Sequence, residues 1–129
     1  MVRNLLFVCY GNAFRSQMAE GFFNYHNKNK KYAAVSAGTH PFGRVPETTK
    51  TIMQEKGIDI SGQSSKRLAR EMIDDAYKIY VLYEDDFSDL PQQKLVSIPI
   101  EDPFGESPEE MRRIRDEIEK KVLGILAGL

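Results

Sequence analysis

Asn4-Leu5-Leu6-Phe7-Val8-Cys9-Tyr10-Gly11-Asn12-Ala13-Phe14-Arg15-Ser16 runs from a short continuous apolar segment, through a turn, to the start of a helix. Residues 4–8 read as a strand buried on both faces, because the apolar run is short and unbroken. Gly11 and Asn12 mark a sharp turn over residues 9–15. From Ser16 the spacing predicts a helix with Met18, Phe22 and Tyr25 on one face, widened by Ala19 and Phe23. Moving outward, residues 32–36 predict a second strand stopped by Gly38. Pro46 to Lys56 predicts a helix with Pro in its first turn and Gly57 past its end. Ser64 or Ser65 is the expected cap of a short helix reaching Ile73. Further strands are expected over 77–82 and 94–98. The last helix opens on the capping box Ser107-Pro108-Glu109-Glu110, and Met111, Ile114, Ile118, Val122 and Ile125 form its core stripe. Strands alternating with helices predict an α/β fold, a three-layer sandwich with a four-stranded parallel sheet flanked by helices. Ligands of such sheets bind beyond the carboxyl ends of the strands, where the strand order reverses. The turn after the first strand is therefore the first candidate site.

The 129 residues predict one domain, 1–129, and the 41% hydrophobic and 29% charged composition is that of a globular chain. No stretch approaches the roughly 20 apolar residues of a membrane-spanning helix, so no membrane partner is expected. The net charge of −1 gives no basic field for nucleic acid. The charge is uneven: residues 1–65 carry 8 basic against 4 acidic side chains, residues 66–129 carry 10 against 15. An anion site in the first half with acid groups in the second would account for this. The single cysteine, Cys9, excludes an internal disulfide and a cysteine-rich zinc site. A free thiol without a recognisable export signal predicts a cytoplasmic protein. His26 and His40 lack metal spacing, and neither a metal nor another cofactor is expected.

The loop has the composition of an anion cradle. Backbone N–H groups from Tyr10 to Ser16 can converge at a helix N-terminus, which adds unsatisfied donors and a partial positive charge. Gly11 permits unusual backbone angles, and Asn12 tolerates left-handed ones. Arg15 supplies a fork of donors matching two oxygens of a phosphate. Those donors favour the thiolate of Cys9, and Ser16 can donate to it. A thiolate beneath a bound tetrahedral oxyanion is an in-line nucleophile for phosphorus.

Val8-Cys9-Tyr10-Gly11-Asn12-Ala13-Phe14-Arg15-Ser16-Gln17-Met18-Ala19-Glu20 resembles the signature of the low-molecular-weight protein tyrosine phosphatase family, whose superfamily includes thioredoxin-coupled arsenate reductases. Ser36-Ala37-Gly38-Thr39, Gly57-Ile58-Asp59-Ile60-Ser61 and Asp102-Pro103 are further matches in order, and the resemblance spans essentially the whole chain. It implies a flavodoxin-like topology and a metal-independent phosphomonoester hydrolase. Cys9 would form a phosphocysteine, and Arg15 with residues 10–16 would hold the phosphate. Asp102 would act as general acid and then base; Glu101 is the substitute if Asp102 is not the acid. The resemblance also implies that Asn12, Ser16 and Ser36 brace the loop and that Tyr10 and Phe104 line the pocket. The expected partners are a phosphotyrosine protein or small aryl phosphate as substrate, with inorganic phosphate as product, and the protein itself is expected to be a monomer.

Three departures stand out. Phe14 occupies a position where many relatives carry a second, protective cysteine. The redox cysteines of the reductases align with Tyr83 and Leu90, so an internal three-cysteine relay is impossible, although Arg15 to Gly21 and Arg113 to Ile118 look closer to the reductases. The alternative activity is therefore arsenate processing by one cysteine with an external thiol. Third, Lys66 falls where some reductases place a carboxylate beside bound potassium, so its ammonium is a candidate replacement for the cation near Asn12, Glu20 and Ser36.

Overall fold

A computed structural model describes the whole chain, Met1 to Leu129. The elements in order are β1 (Arg3–Cys9), α1 (Arg15–His26), β2 (Tyr32–Gly38), α2 (Glu47–Gln54), α3 (Arg70–Asp75), β3 (Ala76–Val81), β4 (Leu95–Ser97) and α4 (Pro108–Ala127). All strands are parallel, in the order β2-β1-β3-β4. The chain leaves β1 for one side of the sheet and later crosses to the other. The loop after β1 therefore sits where strand order reverses, as expected of a ligand-binding crevice.

Alternation along β1 divides the interior. Leu5, Phe7 and Cys9 face a large cluster with Met18, Phe22 and Phe23 of α1, Ile52 and Met53 of α2, and Ile114, Ile118 and Val122 of α4. Leu6 and Val8 face a smaller one with Ala37, Ile79 and Val81, covered by Leu68, Met72 and Ile73. The result is the expected three layers, with a thick layer of α1, α2 and α4 and a thin one built around α3. Gly21 allows the close approach of α1, since a Cβ there would stand 2.8 Å from Ile60 Cγ2. No helix is long and apolar enough to cross a membrane.

Several local expectations are corrected. Tyr25 does not join the core face of α1: its ring is exposed, while Phe22 and Phe23 are fully buried. Pro46 is the residue before α2, not inside its first turn. Ser64 and Ser65 cap no helix; α3 begins at Arg70 without a side-chain cap. The two serines serve the loop after β1 instead, where Ser64 O accepts from Gln17 Nε2 and Ser65 Oγ donates to Gly11 O. The capping box forms by half. Ser107 Oγ accepts from the Glu110 N–H at 3.2 Å, but the Glu110 carboxylate pairs with Arg113. The α4 stripe is buried as expected, except that Ile125 is only half-buried and Arg115 is buried beside it.

Candidate active site

The loop from Cys9 to Ser16 is held from below by side chains without solvent access. Asn12, Ser16, Gln17 and Ser36 are each 0% exposed. Asn12 is the hub, and its φ of +48° is one of the few conformations in which an asparagine is at ease with a left-handed backbone. Asn12 Nδ2 donates to Ser16 Oγ at 2.7 Å and to Ser36 Oγ at 3.0 Å, and Asn12 Oδ1 accepts from the Lys66 N–H at 2.9 Å. Ser36 Oγ in turn donates to Glu20 Oε1 at 2.6 Å. Thr49 Oγ1 donates to Ala13 O, and Gln17 Nε2 to Asn12 O. Every buried side-chain polar atom finds a partner, which is what a buried polar network needs in order to stiffen rather than destabilise.

Cys9, at the end of β1, is 2% exposed. Its Sγ accepts from the Asn12 N–H at 3.2 Å and lies 2.9 Å from Ser16 Oγ. Because Ser16 Oγ already accepts from Asn12, its proton is free to point at the sulfur. The N–H groups of Gly11, Ala13, Phe14, Arg15 and Ser16 donate to no protein acceptor, as an anion cradle requires. Gly11 does not adopt a positive φ, contrary to expectation. The small residue whose backbone is needed is Gly38, where a Cβ would stand 2.8 Å from Asn12 N and from Tyr10 O. Residues 39–42 then run along the loop, with Thr39, His40 and Phe42 N–H groups donating to the carbonyls of Cys9, Tyr10 and Gly11.

Arg15 opens α1 and is 7% exposed. Its Nη1 donates to Ile100 O at 3.1 Å, and its Nη2 stands 3.9 Å from Asp102 Oδ2. Asp102 is well exposed, and its Oδ1 accepts from the Phe104 N–H in a tight turn. Glu101, the substitute acid, is tied to Arg113 at 2.9 Å. Of the two, Asp102 borders the cleft.

The cleft has a volume of about 290 Å³, with Cys9, Gly11, Ala13 and Arg15 on its floor. Two aromatic pairs wall it. Tyr10 stacks on His40, with centroids 4.4 Å apart and planes at 16°. Phe14 meets Phe104 edge-on at 6.2 Å. Phe42 adds to the rim. Phe14, in the position where many relatives carry a second cysteine, becomes part of the wall. His40, Phe42, Gln17, Thr49 and Gly38 were not expected as site residues. His40, Phe42, Thr49 and Gly38 reach the site through chain crossings that no local spacing encodes, whereas Gln17 stands close in sequence and its side chain returns to Asn12 O.

Lys66 supports the loop in a different way from that expected. It is half-buried, but the contact with Asn12 comes from its main-chain N–H, and its ammonium donates to Ser64 O at 3.1 Å. Glu20 is without an ion pair. Burial raises its carboxyl above the ordinary value, against the opposing effects of the Ser36 hydrogen bond and, more weakly, the Lys66 charge.

Comparison with known proteins agrees with this arrangement. The pattern of the low molecular weight phosphotyrosine protein phosphatase family matches residues 4–129. The chain belongs to this family. Within it, the chain is 34% identical to the glutaredoxin arsenate reductase of Synechocystis, over 99% of each chain. Among solved structures, the low molecular weight protein tyrosine phosphatase of T. tengcongensis superposes with a TM-score of 0.85 at 27% identity, covering 98% of this chain and 99% of the other. An arsenate reductase in the phosphate binding state superposes with a TM-score of 0.86 at 32% identity, covering 98% of each. The family thus joins phosphatases and arsenate reductases on one fold, and this chain resembles both.

Proposed function

We propose that the chain is a metal-independent phosphomonoester hydrolase acting on phosphotyrosine or other aryl phosphates. The observation that carries this reading is the placement of Asp102 across an aromatic-walled cleft whose floor is Cys9 and Arg15. A phosphate seated on the loop amides and Arg15 presents phosphorus to Cys9 Sγ. The sulfur attacks, the bond to the ester oxygen breaks, and Asp102 donates a proton to the departing oxygen. Water then attacks phosphorus with Asp102 as base, the S–P bond breaks, and inorganic phosphate leaves. The loop amides and Arg15 stabilise the charge on the equatorial oxygens in both steps. The walls of Tyr10, Phe14 and Phe104 suit the flat leaving group of an aryl ester.

A second reading is favoured by the names of the curated relatives, which are arsenate reductases. Arsenate shares the shape and charge of phosphate and fits the same floor. Cys9 would displace water from arsenic, an external thiol would attack Cys9 Sγ and release arsenite, and a second thiol would resolve the mixed disulfide. Both external thiols are obligatory, since Cys9 is the only cysteine. Hydrolysis needs no such donor, and it employs Asp102 and the aromatic walls, so it is the leading reading.

The test is steady-state hydrolysis of p-nitrophenyl phosphate without metal, beside arsenate reduction supplied with glutathione and glutaredoxin. Hydrolysis by the parent, with Cys9→Ser lowering kcat at least about 10⁴-fold, is the expected result. Arsenate turnover with no ester hydrolysis would instead establish the second reading.

A further inference from the structure

Arg15 is a buried cation without a full anionic partner. Its guanidinium makes one hydrogen bond, to the neutral Ile100 carbonyl, and its carboxylate neighbour stands at 3.9 Å on an exposed side chain. Two contacts on one edge leave the plane of the guanidinium free to tilt, yet a fork of donors recognises an oxyanion only when its plane is fixed. Something else must fix it.

Tyr83, two residues beyond the end of β3, faces this guanidinium. Arg15 Cζ stands 5.7 Å from the centroid of its ring, within the range of a cation–π contact. The ring itself is immobilised from three sides. Its hydroxyl donates to Asp85 Oδ2 at 3.2 Å and lies 2.7 Å from Thr39 Oγ1. Tyr10 and Phe87 meet it edge-on at 6.0 and 5.3 Å, both at 86°. Burial raises the phenol above its ordinary value near 10, so the ring stays neutral and its face remains attractive to a cation. Tyr83 does not line the cleft, so a bound ligand need not touch it. It stands where the family's reductases align a redox cysteine, so the position carries a platform here and not a thiol.

We propose that Tyr83 is a positioning residue for Arg15: its ring face, held by the rings of Tyr10 and Phe87, fixes the guanidinium plane and thereby sets the affinity of the site for tetrahedral oxyanions. This rests on the reading of the loop as an oxyanion site, which hydrolysis and arsenate reduction share, and it holds for either reaction.

The test is binding of inorganic phosphate by titration calorimetry, paired with the Arg15 Nε–H resonance of the free protein. Replacement of the Tyr83 ring by that of phenylalanine keeps the face and removes the hydroxyl contacts. Replacement by trifluorophenylalanine keeps size and shape but weakens the face, so folding is preserved. Tyr83→Leu removes the ring. Tyr83→Phe is expected to bind phosphate within about threefold of the parent, the trifluoro variant about fivefold more weakly, and Tyr83→Leu about tenfold more weakly. The Arg15 Nε–H signal should be sharp with the first ring, and broadened with the fluorinated ring and with leucine. Equal affinity and equal line width across the phenylalanine and trifluorophenylalanine variants would overturn the proposal alone. A parent that binds no phosphate would overturn it together with the oxyanion reading beneath it.

Discussion

The floor and the walls of the cleft are built by opposite means. The floor is a closed polar network on fully buried side chains: Asn12, Ser16, Ser36 and Gln17 satisfy one another and leave the loop amides free. The walls are large rings, on exposed positions apart from the half-buried Phe14. Phe104 is 68% and Tyr10 49% exposed, and each is held mainly by another ring. A buried polar network has one low-energy arrangement, because any other leaves a donor or acceptor unpaired at about 1–3 kcal/mol each. Exposed rings have no such penalty and can change without cost to the fold. On the proposed reading, the chemistry falls to the closed network and the selection of substrate to the exposed rings.

Four substitutions or pairs sharpen that contrast. Asp102, on the rim, is the exception: on the proposed reading it acts from an exposed position. Asp102→Asn should lower kcat by about 10²- to 10³-fold, with a larger loss on phenyl phosphate than on p-nitrophenyl phosphate, whose leaving group needs no proton. Equal losses on the two esters would deny Asp102 the role of acid. Asn12→Ala removes the hub of the floor. A loss of about 3 kcal/mol in urea unfolding and about 100-fold in turnover are expected together, because loop geometry and stability share the same bonds. Phe104→Ala should raise KM for an aryl phosphate about fivefold and change stability by less than about 0.5 kcal/mol. If it destabilised the protein as much as Asn12→Ala, the division between floor and wall would fail.

The smallest effects are in pH dependence, where two carboxylates should act with opposite sign. Glu20, beneath the floor, is raised by burial above its ordinary value near 4.5. The folded state holds its proton more tightly, so its contribution to stability declines as pH rises from 4.5 through the raised value. Glu20→Gln should remove that decline. Glu55, exposed on the α2 side and held chiefly by the hydrogen bonds of Arg112 and also by Arg115, is lowered to about 2. Its contribution is complete above 4.5 and lost as pH falls toward 2, and Glu55→Gln should flatten the acid limb. Urea midpoints between pH 2 and 8 for the parent and both variants measure each slope. Parallel slopes in the two variants would remove the distinction.

The sequence by itself determined the architecture and the candidate reacting groups. The apolar run over β1 could only be a buried strand, a glycine–asparagine turn followed it, and the spacing from Cys9 to Arg15 and Ser16 placed a thiol, a guanidinium and a helix N-terminus around one point. Such features are local, and local chemistry is legible in order along a chain. Tertiary structure alone decided which distant residues complete the site. Gly38 is needed because β2 brings residue 38 within 2.8 Å of the loop backbone. Ser64 and Ser65 serve the loop and not a helix end, because packing offers them acceptors and donors that a cap would not. Phe14 became wall, Glu101 was drawn away by Arg113, and Tyr83 came to face Arg15 across 5.7 Å. Each of these was settled by contacts between segments far apart in sequence. The periodicity of one segment records which of its faces is buried, but not which partner covers that face.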